Sequence, residues 1–277
     1  MSDAEAWSAS FGSDASAVYA ETLLPTVFVP WAGDLLDVLM VGPGQRLLDV
    51  ACGPGTLAAV AATRIGSTGA VTGVDPSDTM LDLARRIELV DGAAPVAWLR
   101  GPADDIALPT GSFDVVACQQ GVQFFPDRRA ALVEMRRVCR GGGRMGFSVW
   151  RPIDECPSFR AVAAGLSEAL GADAADAYRG GPWGWTDPAA MTEVTEGAGF
   201  IDVQAVARTL SVRFHSVEQL AATVGAAPVG AQLDASPSEV RRAFLDATAA
   251  AIQPFLRGTA VVAPTATTVV TARSPGW

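Results

Sequence analysis

The chain has 277 residues, and its 20 basic residues, all arginine, are outnumbered by 30 acidic ones for a net charge of -10. A nucleic-acid binder gains affinity by releasing counterions from neutralised phosphates, so this balance excludes phosphate-backbone binding as a main activity. Arg, Asp, Gly or Pro breaks every apolar stretch well short of the ~20 residues a membrane span needs, and the four cysteines form no C-x-x-C pair of the kind that holds zinc.

The N-terminus, MSDAEAWSAS, is polar and acidic where a secretory signal carries basic residues and then an apolar run, so a cytoplasmic chain with reduced Cys52, Cys118, Cys139 and Cys156 is expected. Residues 14–40 read as one or two helices interrupted by Pro25 and Pro30, a cover over residues 1–45 placed ahead of the first strand. From 46 to 150, short β-branched runs alternate with helical patterns, the mark of a parallel sheet with helices on both faces. The predicted strands are 46–51, 70–75, 96–100, 113–118 and 143–150, and the helices are 55–65, 77–90 and 127–140. Such strands lack polar alternation because both sheet faces are covered. In the last helix Ala131, Leu132, Met135, Val138 and Cys139 form a core stripe, Asp127 is the N-cap and Gly141–Gly143 ends the helix. Arg136, Arg137, Arg140 and Arg144 are read as a solvated helix face.

Residues 151–187 read as a helix plus a Gly/Pro/Trp loop, taken as a lid. A helix over 188–198 closed by Gly199, a strand at 201–214, helical segments over 216–257 and a last strand at 265–273 follow. There is no repeat and no linker, so a single α/β domain over 1–277 is expected.

The chemistry lies after the first strand. Asp49-Val50-Ala51-Cys52-Gly53-Pro54-Gly55 is a glycine-rich turn opening a helix, where a ligand can lie against bare backbone and free N–H groups. Asp75, at the carboxyl end of the second strand, is placed to accept both ribose hydroxyls of a nucleoside. Two nucleoside classes fit, because Gly53–Ala58 also satisfies the dinucleotide pattern G-x-G-x-x-A with an acid about 20 residues on. Asp49 tips the balance: a carboxylate there repels a pyrophosphate and attracts the ammonium or sulfonium end of S-adenosylmethionine.

LLDVACGPG, VTGVDPS, LPTGSFDVV, QQGVQFFPD and EMRRVCRGGGRM, in this order and spacing, resemble the class I S-adenosylmethionine-dependent methyltransferases of the UbiE/MenG-like small-molecule type, over about residues 14–273. The resemblance implies a Rossmann-like methyltransferase fold, with a seven-stranded mostly parallel sheet, helices on both faces and helical lid insertions. It divides the chain into a cofactor core (46–150), lid or substrate insertions (151–187 and 215–258) and a last helix and strands (188–214 and 259–277). It implies S-adenosylmethionine as cofactor and S-adenosylhomocysteine as product. Asp49, Ala51, Cys52, Gly53 and Gly55 then surround the methionine moiety, Asp75, Pro76 and Met80 hold ribose and adenine, Ala103 and Asp104 contact adenine, and Gln119 lies beside the methionine amine. Tyr19 and Trp31 fall in the family's cofactor-covering segment. Pro102 stands where similar proteins often carry Asp, so the adenine amino contact shifts to Asp104 or Asp105.

Methyl transfer from a sulfonium requires mainly alignment of the nucleophile and exclusion of water, so a general base is optional. The only histidine, His215, is a candidate base, but Ser216 with Gln219 forms a capping-box pattern that places it at the solvent edge of a helix start. Gln123, Phe124 and Trp183, the last beside Trp185, are the acceptor-pocket candidates. No metal site is expected. The expected reaction is methylation of a small organic acceptor (a quinone, phenol, polyketide or other secondary metabolite) by a monomer or homodimer without nucleic-acid or membrane partners. Two alternatives stay open: a cofactor pocket used for non-methylating cyclisation or regulation, and a nicotinamide-dependent oxidoreductase.

Overall fold

A computed structural model describes residues 19–276, with side chains from residue 22 onward. Tyr19 opens the first described element, but its side chain lies outside the described residues. The described residues divide into two compact units, one of residues 28–149, 187–207 and 268–276, the other of residues 19–27, 150–186 and 208–267.

The first unit carries the sheet. A π-helical segment, Tyr19–Phe28, contains Pro25, whose missing N–H breaks the normal helical ladder; it leads into α1 (Val29–Val38). The order then runs β1 (Arg46–Val50), α2 (Thr56–Ile65), β2 (Ala70–Asp75), α3 (Asp78–Ala84), β3 (Val96–Arg100), β4 (Phe113–Gln119), α4 (Arg128–Val138) and β5 (Cys139–Trp150). After two further helices, α5 (Pro157–Leu170) and α6 (Ala172–Gly180), come α7 (Pro188–Gly197) and β6 (Ile201–Phe214). The chain ends through α8 (Val217–Ala222), α9 (Pro228–Asp234), α10 (Ser238–Ile252), β7 (Leu256–Arg257) and β8 (Ala260–Arg273). Strand order is β3-β2-β1-β4-β5-β8-β6, with β1 parallel to β2 and β4, β2 parallel to β3, and β4 parallel to β5. The order reverses between β1 and β4, and open α/β sheets bind ligands at the carboxyl ends of strands flanking such a reversal. Leu35, Leu36 and Leu39 of the α1 segment, Leu57, Ala58, Ala61 and Ile65 of α2, and Leu47, Val71, Val115 and Val269 of the strands form one buried cluster beneath it.

In the second unit α5 and α10 pack closely, and Gly165 of α5 permits it because a methyl there would collide with Thr248 and Phe244 of α10. Trp150, Phe159, Trp183 and Tyr178 form an aromatic chain with centroid spacings of 5.3–5.6 Å.

The predicted strands and helices are present, with instructive differences at their ends. α3 stops at Ala84 rather than near 90, because Leu89 and Val90 are solvent-exposed and no apolar face remains to hold another turn. α4 ends at Val138, not at the glycine run; Cys139 already pairs with Phe113, and the glycines lie within β5. Residues 151–187 hold two helices, divided at Gly171 with φ +94°, and the two-residue β7 adds an eighth strand. The arginine run is not a solvated face. Arg136 donates to the Ala198 carbonyl at 2.9 Å, Arg137 to Glu134 and to the Ile106 and Leu108 carbonyls at 2.6–2.8 Å, and Arg144, on β5, to the Met40 carbonyl. Only Arg140, paired with Asp114, is exposed. Planar guanidinium forks here fasten loop carbonyls to the sheet unit. Among the described residues no helix is long and apolar enough to cross a membrane.

Candidate functional site

β1 ends in a turn that the chain builds around one carboxylate. Asp49 is 1% exposed, and its Oδ2 accepts the Ala58 N–H at 3.1 Å, satisfying one of the free donors in the first turn of α2. Burial lifts its carboxyl well above the usual range; the Ala58 N–H pulls it back, and the Asp75 charge adds to the rise. Ala51 adopts φ +54°, which a non-glycine residue holds only when its surroundings enforce it. The two glycines that follow differ in kind. A methyl built on Gly53, at φ +53°, meets no atom within 4 Å, whereas one on Gly55, at φ +87°, runs into Trp98 at 2.5 Å and Ala84 at 3.1 Å. Gly53 is thus bare toward open space, and Gly55 is required by the packing of α2 against β3.

Asp75 closes the turn from the neighbouring strand. Its Oδ2 accepts the Gly53 N–H at 2.8 Å and its Oδ1 the Ser77 N–H at 2.9 Å. Burial raises its pKa, and those two N–H groups oppose the rise. A carboxylate has about four acceptor positions, so two remain for ligand hydroxyls. Ser77 caps α3 by accepting the Met80 N–H, which seats the buried Met80 one turn from Asp75; Pro76 is exposed. The Cys52 thiol, raised by burial and by both carboxylates, stays protonated and acts as a small apolar wall.

Of the remaining predicted positions, Ala103 is half-buried and Asp104 exposed on the turn after β3. The Gln119 side chain donates to the Phe28 carbonyl at 2.8 Å, tying the end of β4 to the start of α1. Gln123 is buried in a short 3-10 turn after β4 and Phe124 beside it is half-buried. Trp31, in α1, is fully buried. In the second unit Trp183 is packed between Phe159 and Tyr178. His215 is exposed; its N–H donates to Gln219 Oε1 at 2.6 Å while Ser216 Oγ accepts the Gln219 N–H, the expected capping arrangement. The sequence places Gln120 with Gln119 and Gln123 at the carboxyl edge of the sheet but names neither it nor Ser148 as an acceptor-pocket residue. Gln120 directly follows β4 at φ +55°, donates its N–H to the Ser148 carbonyl at 3.0 Å and is buried. The position immediately after β4, the counterpart of Ala51 after β1, was the signal available for Gln120.

A model described as "Methyltransferase domain" matches residues 48–147. Nocamycin O-methyltransferase of Saccharothrix syringae is 32% identical over 205 residues, 70% of this chain and 72% of that protein. The ubiquinone/menaquinone biosynthesis C-methyltransferase UbiE of Cupriavidus metallidurans is 39% identical over 120 residues, covering 42% of this chain and about half (49%) of that protein. Among solved structures, the putative methyltransferase of Haloferax volcanii, in complex with its Trm112 activator, aligns with a TM-score of 0.59 at 16% identity over 97% of both chains, a likeness of fold.

Proposed function

The chain belongs to the class I S-adenosylmethionine-dependent methyltransferases, and from that premise we propose which residues hold the cofactor and what the chain methylates. The observation that carries the assignment is the bare Gly53 turn, open to an approaching ligand and flanked by two buried carboxylates. Asp75 accepts the ribose hydroxyls through the lone pairs its backbone contacts leave. Asp49 balances the positive charge of the methionine end, and Ala51, Cys52, Gly53 and Gly55 supply the turn on which that end rests. Met80, Pro76, Ala103 and Asp104 border the base, and Gln119 completes the set. Bound S-adenosylmethionine supplies a methyl group already activated on sulfur. The residues need only fix the donor, admit a nucleophile in line and keep water out.

The acceptor is a small organic molecule of the quinone, phenol or polyketide kind, held by Gln123 and Phe124. A cytoplasmic monomer or homodimer belongs to the same reading. Titration calorimetry tests it: S-adenosylmethionine binds in the micromolar range, about -8 kcal/mol, and Asp75→Ala weakens it. Undiminished binding by that variant removes Asp75 from the ribose. Methyl-label turnover by the purified chain separates methyl transfer from non-methylating use of the same pocket.

A further inference from the structure

Two carboxamides after β4 carry hydrogen-bonding capacity that the folded chain leaves unused. Gln120 and Gln123 are each more than nine-tenths buried, and Gln123 Nε2 donates to Gln120 Oε1 at 3.4 Å. That leaves Gln120 Nε2 and Gln123 Oε1 buried and without a hydrogen-bond partner among the described residues. Exchanging the nitrogen and oxygen of both amides changes nothing essential, since the linked pair still offers one free donor and one free acceptor. Ser148, whose carbonyl accepts the Gln120 N–H at 3.0 Å, carries a further buried hydroxyl without a partner. Buried polar groups are normally satisfied, and a cluster that is not calls for an explanation.

The backbone points the same way. Gln120 and Ala51 follow adjacent strands, β4 and β1, and both are non-glycine residues held at φ +55° and +54°. They meet through Gly121, where an added methyl would lie 2.9 Å from the Ala51 Cβ and 2.7 Å from Cys118 Sγ. Arg128 holds the other end of the turn by donating to the Gln123 carbonyl at 2.8 Å. Backbone strain of this kind persists where surrounding structure enforces it and gathers at functional sites. The turn that carries the amide pair is therefore held against the turn after β1, on the β4 side of the strand-order reversal.

We infer that Gln120 and Gln123 are the specificity residues for the acceptor, and that together they read a neutral oxygen that both accepts and donates: a phenol or enol hydroxyl. This rests on the methyltransferase reading above. The carboxylates Asp49 and Asp75 already match the charged and polyhydroxylated cofactor, whereas a neutral donor–acceptor pair matches a neutral hydroxyl: Gln120 Nε2–H donates to its oxygen and Gln123 Oε1 accepts its proton. A methyl ether satisfies only the first contact and a hydrocarbon neither. The group enters by displacing neighbouring apolar side chains, among them the half-buried Phe124 of the same turn.

The test uses the full chain saturated with S-adenosylhomocysteine and three probes: 1-naphthol, 1-methoxynaphthalene and naphthalene. Equilibrium dialysis should show 1-naphthol bound about tenfold more tightly than either analogue, and the double variant Gln120→Met/Gln123→Met should bring the three within about twofold of one another while S-adenosylhomocysteine affinity is unchanged. Because the double variant removes the bonded pair together with its two unsatisfied groups, the Tm of the ligand-free protein should hold or rise, a result that a purely structural pair would reverse. Equal binding of the three probes by the parent chain, a preference that survives the double variant as it would if the amides served only a buried water, or a fall in Tm overturns the inference. Failure of the parent chain to bind S-adenosylhomocysteine would instead overturn the cofactor reading on which it rests.

Discussion

Replacing Asp49 by Asn separates the two duties of the most buried carboxylate in the site. The amide oxygen of Asn can still accept the Ala58 N–H, so the start of α2 keeps its contact, while the charge facing the cofactor is lost. Two opposite charges 4 Å apart interact by about 4 kcal/mol at an effective dielectric of 20, and truncating a hydrogen bond to a charged group costs about 1.5–3 kcal/mol. A loss of about 2 kcal/mol, roughly 30-fold in the Kd for S-adenosylmethionine, is expected. Stability should move the other way. Burial holds the native Asp49 carboxyl above its unfolded value, so the folded state binds its proton more tightly, and this group's contribution is present at low pH and lost as pH rises through the elevated value. Asp49→Asn removes that loss, leaving the weaker parallel effect of Asp75. Calorimetry for binding and thermal melts of ligand-free protein between pH 4 and 8 read both quantities. The variant should melt at or above the parent temperature at pH 7, with a shallower decline as pH rises. Unchanged affinity, or an undiminished pH slope, would refute the role given to this charge.

The two turn glycines should fail differently. Gly55→Ala, forced against Trp98 at φ +87°, should destabilise the fold by about 3 kcal/mol, seen as a fall in Tm or in the urea midpoint. Gly53→Ala meets no protein atom, so its stability cost should stay near 1 kcal/mol, the strain of φ +53°, while S-adenosylmethionine binding falls at least tenfold. Affinity retained by Gly53→Ala would mean that no ligand lies on that turn. His215→Ala should leave the rate and its pH profile within about twofold, because the side chain is exposed and its backbone serves the capping contact; loss of a pH-rate limb would restore it as a base.

Much of the geometry around the Gly53 turn was legible because its demands are local. A strand of buried residues, a turn with glycines and an acid at the end of the next strand each leave a mark within a few residues, and Asp49, Gly53, Gly55 and Asp75 stand together as that pattern required. What the sequence concealed was the division of roles within it. The need for glycine at 55 comes from Trp98, more than forty positions away, and Asp49 also satisfies the α2 N-terminus, which only the folded turn displays. The arginines of α4 looked solvated because helical periodicity puts them off the apolar stripe, yet their partners are loop carbonyls remote in sequence, such as Ala198 and Ile106. Gln120 shows no side-chain signal at all; its left-handed backbone and its unpartnered amide emerge only from the meeting of β1, β4 and β5.

The most direct trial of the central claim is a crystal structure of the chain with S-adenosylhomocysteine. Both ribose hydroxyls should lie within hydrogen-bonding distance of the Asp75 carboxylate, and the methionine end should rest on the Ala51–Gly53 backbone near Asp49. A ligand seated elsewhere, or a Gly53 turn covered by polypeptide, would contradict it.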